Sequence, residues 1–164
     1  MKDQPEAEDA SDRSRLDGFL GTVGAAMTGG VMALESGTPA DVAARRMEDK
    51  GVSGTPVVDR GRVVGVVTLA DLLARAGARK PIMTSGPFLR VEGALADLTV
   101  DEAMTAQVVT ADPDWPLARA VSMMEEAGVN RLPVVDAEGR LVGILARDDV
   151  IRAIGRMARR ESTT

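Results

Sequence analysis

The chain has no cysteine and no histidine among its 164 residues. The first absence removes disulfides, thiolate nucleophiles and iron–sulfur ligation, and it fits a reducing cytoplasm, the expected location. The second removes the commonest general base and the commonest transition-metal ligand. Tyrosine is missing too, and the aromatic residues are Phe19, Phe88 and Trp115 alone. Base stacking needs rings interleaved with cations, and a net charge of −5 opposes phosphate neutralisation, so nucleic acid is not an expected partner. No apolar run approaches the roughly 20 residues of a membrane helix, and the N-terminus lacks a signal-peptide pattern, so no membrane is expected. An enzyme is not expected either. The chain has no phosphate-cradling Gly-Lys motif, and adjacent Asp148 and Asp149 would point about 100° apart on a helix rather than work as a pair. Nor does any loop of alternating carboxylates suggest a metal site.

What the chain does contain is aliphatic. Apolar residues make up 45% of it and aromatic ones 2%, so the core is Val, Leu, Ala and Met. The length fits one domain or two small packed halves. The clearest stretch is VNRLPVVDAEGRLVGILARDDV, from Val129 to Val150. Two β-branched runs, Leu132–Val135 and Leu141–Leu145, flank the turn formers Asp136-Ala137-Glu138-Gly139, which predicts a hairpin. Val150, Ile151 and Ile154 then recur at helical spacing.

The same stretch occurs earlier. An offset of 77 carries Thr22 onto Thr99, Met27-Thr28 onto Met104-Thr105, Val31 onto Val108, Pro39 onto Pro116, Gly51 onto Gly128 and Pro56–Asp59 onto Pro133–Asp136. Beyond the hairpin turn the offset becomes 78, relating Gly61 to Gly139, Gly65 to Gly143 and Asp71 to Asp149. A turn is where one extra residue is best tolerated, and register held over this length marks an internal duplication.

In the first copy Thr22 predicts an N-cap for one helical turn ending at Met27, followed by an extended run at Val31–Leu34. Thr38-Pro39 reads as a cap and an N1 proline, with Val42, Ala43 and Met47 on one helix face and Gly51 as terminator. Strands follow at Pro56–Val58 and Val63–Val67 around a turn at Asp59–Gly61, then a helix from about Ala70 to Ala76. The cations Arg152, Arg156, Arg159 and Arg160 read as the solvated C-terminal end of the last helix, the alternative being a basic patch for a partner.

Two copies of this order, each opening in Met-Thr and closing in Gly-x-x-x-x-x-Asp, resemble a tandem pair of CBS (cystathionine-β-synthase) domains. The segments that carry the resemblance are TVGAAMTGGV, GVSGTPVVD and GVVTLAD, then TVDEAMTAQVV, GVNRLPVVD and GILARDD. They cover Thr22–Leu73 and Thr99–Ile154. The resemblance implies an α/β (α+β) fold of two βαββα repeats packed as a pseudo-two-fold module, with clefts between the repeats for adenosine-containing ligands such as AMP, ATP or S-adenosylmethionine. The expected organisation is an acidic disordered tail at 1–15, repeats at 16–76 and 99–158, a linker at 77–98 and a tail at 159–164. Phe19 is expected to seat at the start of the first repeat. A linker of this length is expected to be functional, with Met83, Phe88, Leu89, Val91 and Leu95 apolar enough to pack.

The resemblance also places candidate ligand-binding residues. Thr68 and Asp71 match the ribose-binding motif, where a carboxylate can accept from both vicinal hydroxyls. The competing reading is that they only cap the helix. In the second copy Asp149 is kept but Ala146 replaces the hydroxyl, a difference of about 0.5–1.5 kcal/mol. Arg131 stands where a phosphate would be met, its counterpart being Gly54, and Arg147 adds a second cation. The adenine would be held by Thr28, Val31, Ser53, Thr55, Pro56, Thr105, Val108, Asn130 and Pro133 without ring stacking. The implied function is a regulatory ligand-sensing module that requires no cofactor, forms a homodimer and acts on an unidentified protein. The alternative is a structural dimerisation or adaptor module with degenerate sites.

Overall fold

The computed structural model describes residue 18 and residues 21–79 and 95–161. The expectations for the acidic tail, for Phe19 and for Met83, Phe88, Leu89 and Val91 lie outside the described residues. Thr22 caps helix α1 (Val23–Ala26) by accepting from the Ala25 amide at 3.4 Å. The extended run is shorter and later than its β-branched residues predict: strand β1 is Leu34–Glu35, and Val31 precedes it. Helix α2 (Ala40–Lys50) ends on Gly51, whose φ of 63° is the left-handed geometry that a C-terminal glycine supplies without strain. Strands β2 (Gly54–Asp59) and β3 (Arg62–Thr68) form an antiparallel hairpin, with β1 parallel on the far side of β2. Arg60 and Gly61 both take positive φ in the two-residue turn, as a primed hairpin turn requires. Helix α3 (Leu69–Arg79) follows.

The second copy gives α4 (Val100–Ala103), α5 (Leu117–Ala127), strands β4 (Arg131–Val135) and β5 (Leu141–Ala146), and α6 (Arg147–Glu161). In place of β1, Ala111 makes a single parallel bridge to Val134. The extra residue sits in the wider turn, where the Asp136 carboxylate accepts from the Glu138 amide and Gly139 takes φ 78°.

Two expectations fail at the helices. Pro39 is the N-cap of α2, not its first residue, and the Thr38 hydroxyl donates to the Glu35 carbonyl instead. Helix α2 has no side-chain cap, and one of its orphan amides, that of Ala40, donates instead to the carbonyl of Leu98, distant in sequence. The buried face of α2 carries Ala40, Ala43 and Met47 rather than Val42. In α6, Ile151 and Ile154 are 59% and 48% exposed while Val150 and Ala153 are buried, so the inward stripe is rotated from the apolar pattern.

The compact units do not coincide with the sequence copies. Among the described residues, one unit holds those up to Val31, then Val109–Glu138 and those from Val142 on; the other holds those within Met32–Val108 together with Gly139–Leu141. Each copy's opening segment therefore folds with the body of the other copy. In the first unit α1 packs on α5 and α6, and in the second α4 packs on α3 and β3. Each unit has its own aliphatic core. The two cores differ by a compensated exchange: Leu34 with Ala40 in one, Ala111 with Leu117 in the other. The leucine moves from strand to helix while the total volume holds, the kind of change cores tolerate.

Within the Met32–Val108 unit Asp101 fastens α4 to the segment after β1. It accepts from the Ser36 hydroxyl at 2.6 Å and from the Gly37 amide. Partial burial pushes its carboxyl up, but the hydrogen bonds from Ser36, Gly37 and its own amide outweigh this and hold it below the ordinary aspartate range. A lowered folded-state value means that the stabilisation is complete above the unfolded aspartate value and is lost as pH falls through the folded one. Asp101→Asn should therefore be less stable than wild type near neutrality, with a gap that closes in acid below the ordinary aspartate value. Urea melts across that range check this, and a gap constant with pH contradicts it.

Candidate ligand sites

Strand β3 ends at Thr68 and α3 begins at the next residue, so the four free amides of the helix start need acceptors. Asp71 supplies one with Oδ2, which accepts from the Thr68 amide at 2.9 Å and the Thr68 hydroxyl at 2.7 Å. Thr68 Oγ1 accepts in return from the Asp71 amide at 3.1 Å. The pair is a reciprocal cap, as one reading of the motif expects, but it engages one carboxylate oxygen only. Among the described residues Asp71 Oδ1 has no hydrogen-bond partner, and the side chain is half-buried. Thr105 lies along the outer edge of β3, exchanging backbone bonds with Val66 at 2.9 and 3.0 Å. The Ser53 carbonyl accepts from the Leu69 amide at 3.0 Å, so Ser53, Thr68, Asp71 and Thr105 are gathered at one end of the sheet. Val108 is half-buried. Thr55 and Pro56 are core positions: the Thr55 hydroxyl is buried and donates to the Met32 carbonyl at 2.6 Å.

The matching site in the other unit is wired differently. Asp149 is 4% exposed, and a buried carboxylate must be paired. Its Oδ2 accepts from the Ala146 amide at 2.8 Å, and its Oδ1 accepts from Arg152 and, at 3.4 Å, from the Thr28 hydroxyl. Thr28 thus brings a hydroxyl to the other oxygen of this carboxylate, not to the one that takes the Ala146 amide. It is held there by two backbone bonds to Ile144, both 2.9 Å. The Asn130 carbonyl accepts from the Arg147 amide at 2.9 Å, which sets Asn130, Arg131 and Arg147 beside this carboxylate's strand end. Arg131 and Arg147 are exposed, Val31 is half-buried and Pro133 is buried. Sequence reasoning missed Arg152, reading it as solvated. Its spacing of three residues from Asp149 on a helix was the available signal.

Both sites depend on a close backbone approach. A Cβ at Gly65 would lie 2.9 Å from the Thr105 carbonyl oxygen, and one at Gly143 would lie 2.8 Å from that of Thr28. Only glycine lets the Met-Thr segment lie on these strands. Gly54 has another reason: it is the cross-strand partner of Thr68, and a Cβ there would meet Thr68 Cγ2 at 3.1 Å. A side chain at position 54 and a threonine at 68 crowd each other.

A cavity of about 520 Å3 opens between α2 and α3, lined by Met47, Val52, Leu69, Leu72, Leu73 and Leu95, with the Asp41–Arg45 ion pair beside it. Of the candidate residues it touches Ser53 alone. Among the described residues no group of three or more carboxylates is placed to hold a metal ion, and no helix is long and apolar enough to cross a membrane.

A family model for the CBS domain matches residues 23–77 and 100–156. The homoserine O-acetyltransferase of Methanococcoides burtonii is 33% identical over 130 residues, which is 79% of this chain and 23% of that protein. The chain therefore spans about a quarter of the length of the curated relatives of that name. The uncharacterized protein MJ1426 of Methanocaldococcus jannaschii is 30% identical over 126 residues, 63% of this chain and 73% of that one. Among solved structures, the CBS-pair protein CBSX2 from Arabidopsis thaliana has a TM-score of 0.69 at 32% identity, covering 84% of this chain and 96% of that one. CBSX2 in complex with AMP gives 0.68 at 31% identity, with coverage of 84% and 98%. The CBS domain pair of protein MJ0100, in complex with 5′-methylthioadenosine and S-adenosyl-L-methionine, gives 0.65 at 26% identity, with coverage of 82% and 96%.

Proposed function

Because this chain belongs to the CBS domain family, with two repeats in an α+β fold, we propose that it is a regulatory module sensing an adenosine-containing ligand of the AMP, ATP or S-adenosylmethionine class. The observation that carries the reading is Asp71: a half-buried carboxylate with one oxygen fixed by the helix cap and the other open. Such an oxygen is preorganised to accept from a ribose hydroxyl, and charge-assisted bonds of this kind are the strong ones. Each candidate site gathers residues from both sequence copies, so bound ligand would tie together segments far apart in the chain. That is how a small molecule can bias a fold between states for which its affinities differ. On this reading the module binds rather than catalyses, requires no cofactor, and passes its state to a partner protein. Isothermal titration with AMP, ATP and S-adenosylmethionine should give saturable heat in the micromolar to millimolar range. No heat and no thermal shift at millimolar ligand would sink the reading.

A structural role as a homodimer-forming adaptor is the second reading. Leu73 on α3, Ile151 and Ile154 are apolar and roughly half exposed or more, and each would gain from a cover. Under that reading the mass in solution is a dimer whether or not nucleotide is present.

A further inference from the structure

The two candidate sites are built alike in backbone and opposite in charge. Beside Asp149 stand three arginines, Arg131, Arg147 and Arg152, of which Arg152 is bonded to the carboxylate itself. The register that relates the copies puts Gly54, Leu69 and Ala74 at the equivalent positions around Asp71. The other unit's site thus has none of these cations, and Arg75, a turn beyond Asp71, makes no ion pair with it. Two further differences follow the same division. Asp149 is closed by three protein donors, whereas Asp71 keeps one oxygen open. A side chain at position 54 would also crowd the Thr68 methyl, its Cβ arriving 3.1 Å from Thr68 Cγ2, so that neighbour would have to give by a few tenths of an ångström.

Resting on the ligand-sensing reading, we infer that the sites sort adenosine ligands by charge. The Asp149 site takes the phosphate-bearing form, because its exposed guanidinium groups meet an anion while Arg152 screens the carboxylate that would repel it. The Asp71 site takes the uncharged or cationic form, because its open carboxylate attracts hydroxyls and a positive centre, and among the described residues no counterpart of Arg131, Arg147 or Arg152 stands there to meet a phosphate. The module then reports on two ligand pools at once. An anionic and a neutral adenosine ligand bind together without competing.

AMP and adenosine differ by the phosphate alone and serve as the probes. Titrated into the full chain, the two should bind additively, each giving its heat in the presence of saturating amounts of the other. Raising the salt should weaken AMP several-fold and leave adenosine within about twofold, since screening acts on the charged ligand. Arg131→Gln should weaken AMP by about tenfold and adenosine by less than about twofold, and Asp71→Asn should do the reverse. Asparagine at 71 keeps an acceptor for the helix cap, and Arg131 is exposed, so both variants should fold; thermal melts check this. Heat from both ligands with full mutual competition, or with both variants weakening both ligands alike, overturns the sorting and leaves ligand sensing standing. No heat from either ligand overturns the sorting, and no heat from ATP and S-adenosylmethionine as well overturns ligand sensing with it.

Discussion

Gly143→Val should destabilise the protein by roughly 3 kcal/mol and lower its melting temperature by about 6–12 °C. The first side-chain carbon would arrive 2.8 Å from the Thr28 carbonyl oxygen and 2.7 Å from Met27 Sδ. The methionine sulfur can swing away, but the carbonyl is pinned by the two Thr28–Ile144 backbone bonds. Relief therefore requires the Met-Thr segment to lift from β5, breaking those bonds and taking the Thr28 hydroxyl from Asp149. Gly29→Ala is the control, since its nearest neighbour would be 3.9 Å away, an ordinary contact. Differential scanning calorimetry of the two variants decides. Equal melting temperatures would mean that the close approach is not needed for stability.

Asp71→Ala should have the largest effect on binding. Losing charge-assisted bonds to a ribose removes about 1.5–3 kcal/mol, roughly a 10- to 150-fold rise in the Kd for adenosine. The same change removes the acceptor of the α3 cap, for about 1 kcal/mol of stability. Calorimetric titration and thermal melts on one sample separate the two effects. If the melt shifts and the affinity does not, Asp71 is a cap and nothing more, and the adaptor reading gains.

Much of the architecture was legible because it rests on local chemistry. Pro56-Val57-Val58-Asp59 and its repeat at Pro133 announce strands through β-branching, and Gly51 and Gly128 mark helix ends by the left-handed turn that each supplies. The candidate residues were legible as positions but not as partners. Thr55 looked like a ligand group because of its place before the strand, and only the fold shows its hydroxyl bonded to Met32. Arg152 looked like a solvated C-terminal cation, and only the burial of Asp149 explains why it pairs there. Ile151 and Ile154 followed the apolar period but not the packed face, because Val150 and Ala153 meet the core.

The sequence by itself determined the duplication, the order of strands and helices within each copy, and the different residues that the two copies bring to equivalent positions. Those are properties of composition and spacing along one chain. The tertiary structure alone decided which opening segment joins which body, why Gly65 and Gly143 carry no side chain, and which carboxylate keeps an open oxygen. Thr28 reaches Asp149 across 121 positions of sequence, and no local propensity encodes a bond over that distance. It follows from an opening helix too short to bury its apolar side alone, which finds its cover, and places its threonine, on the body of the other copy.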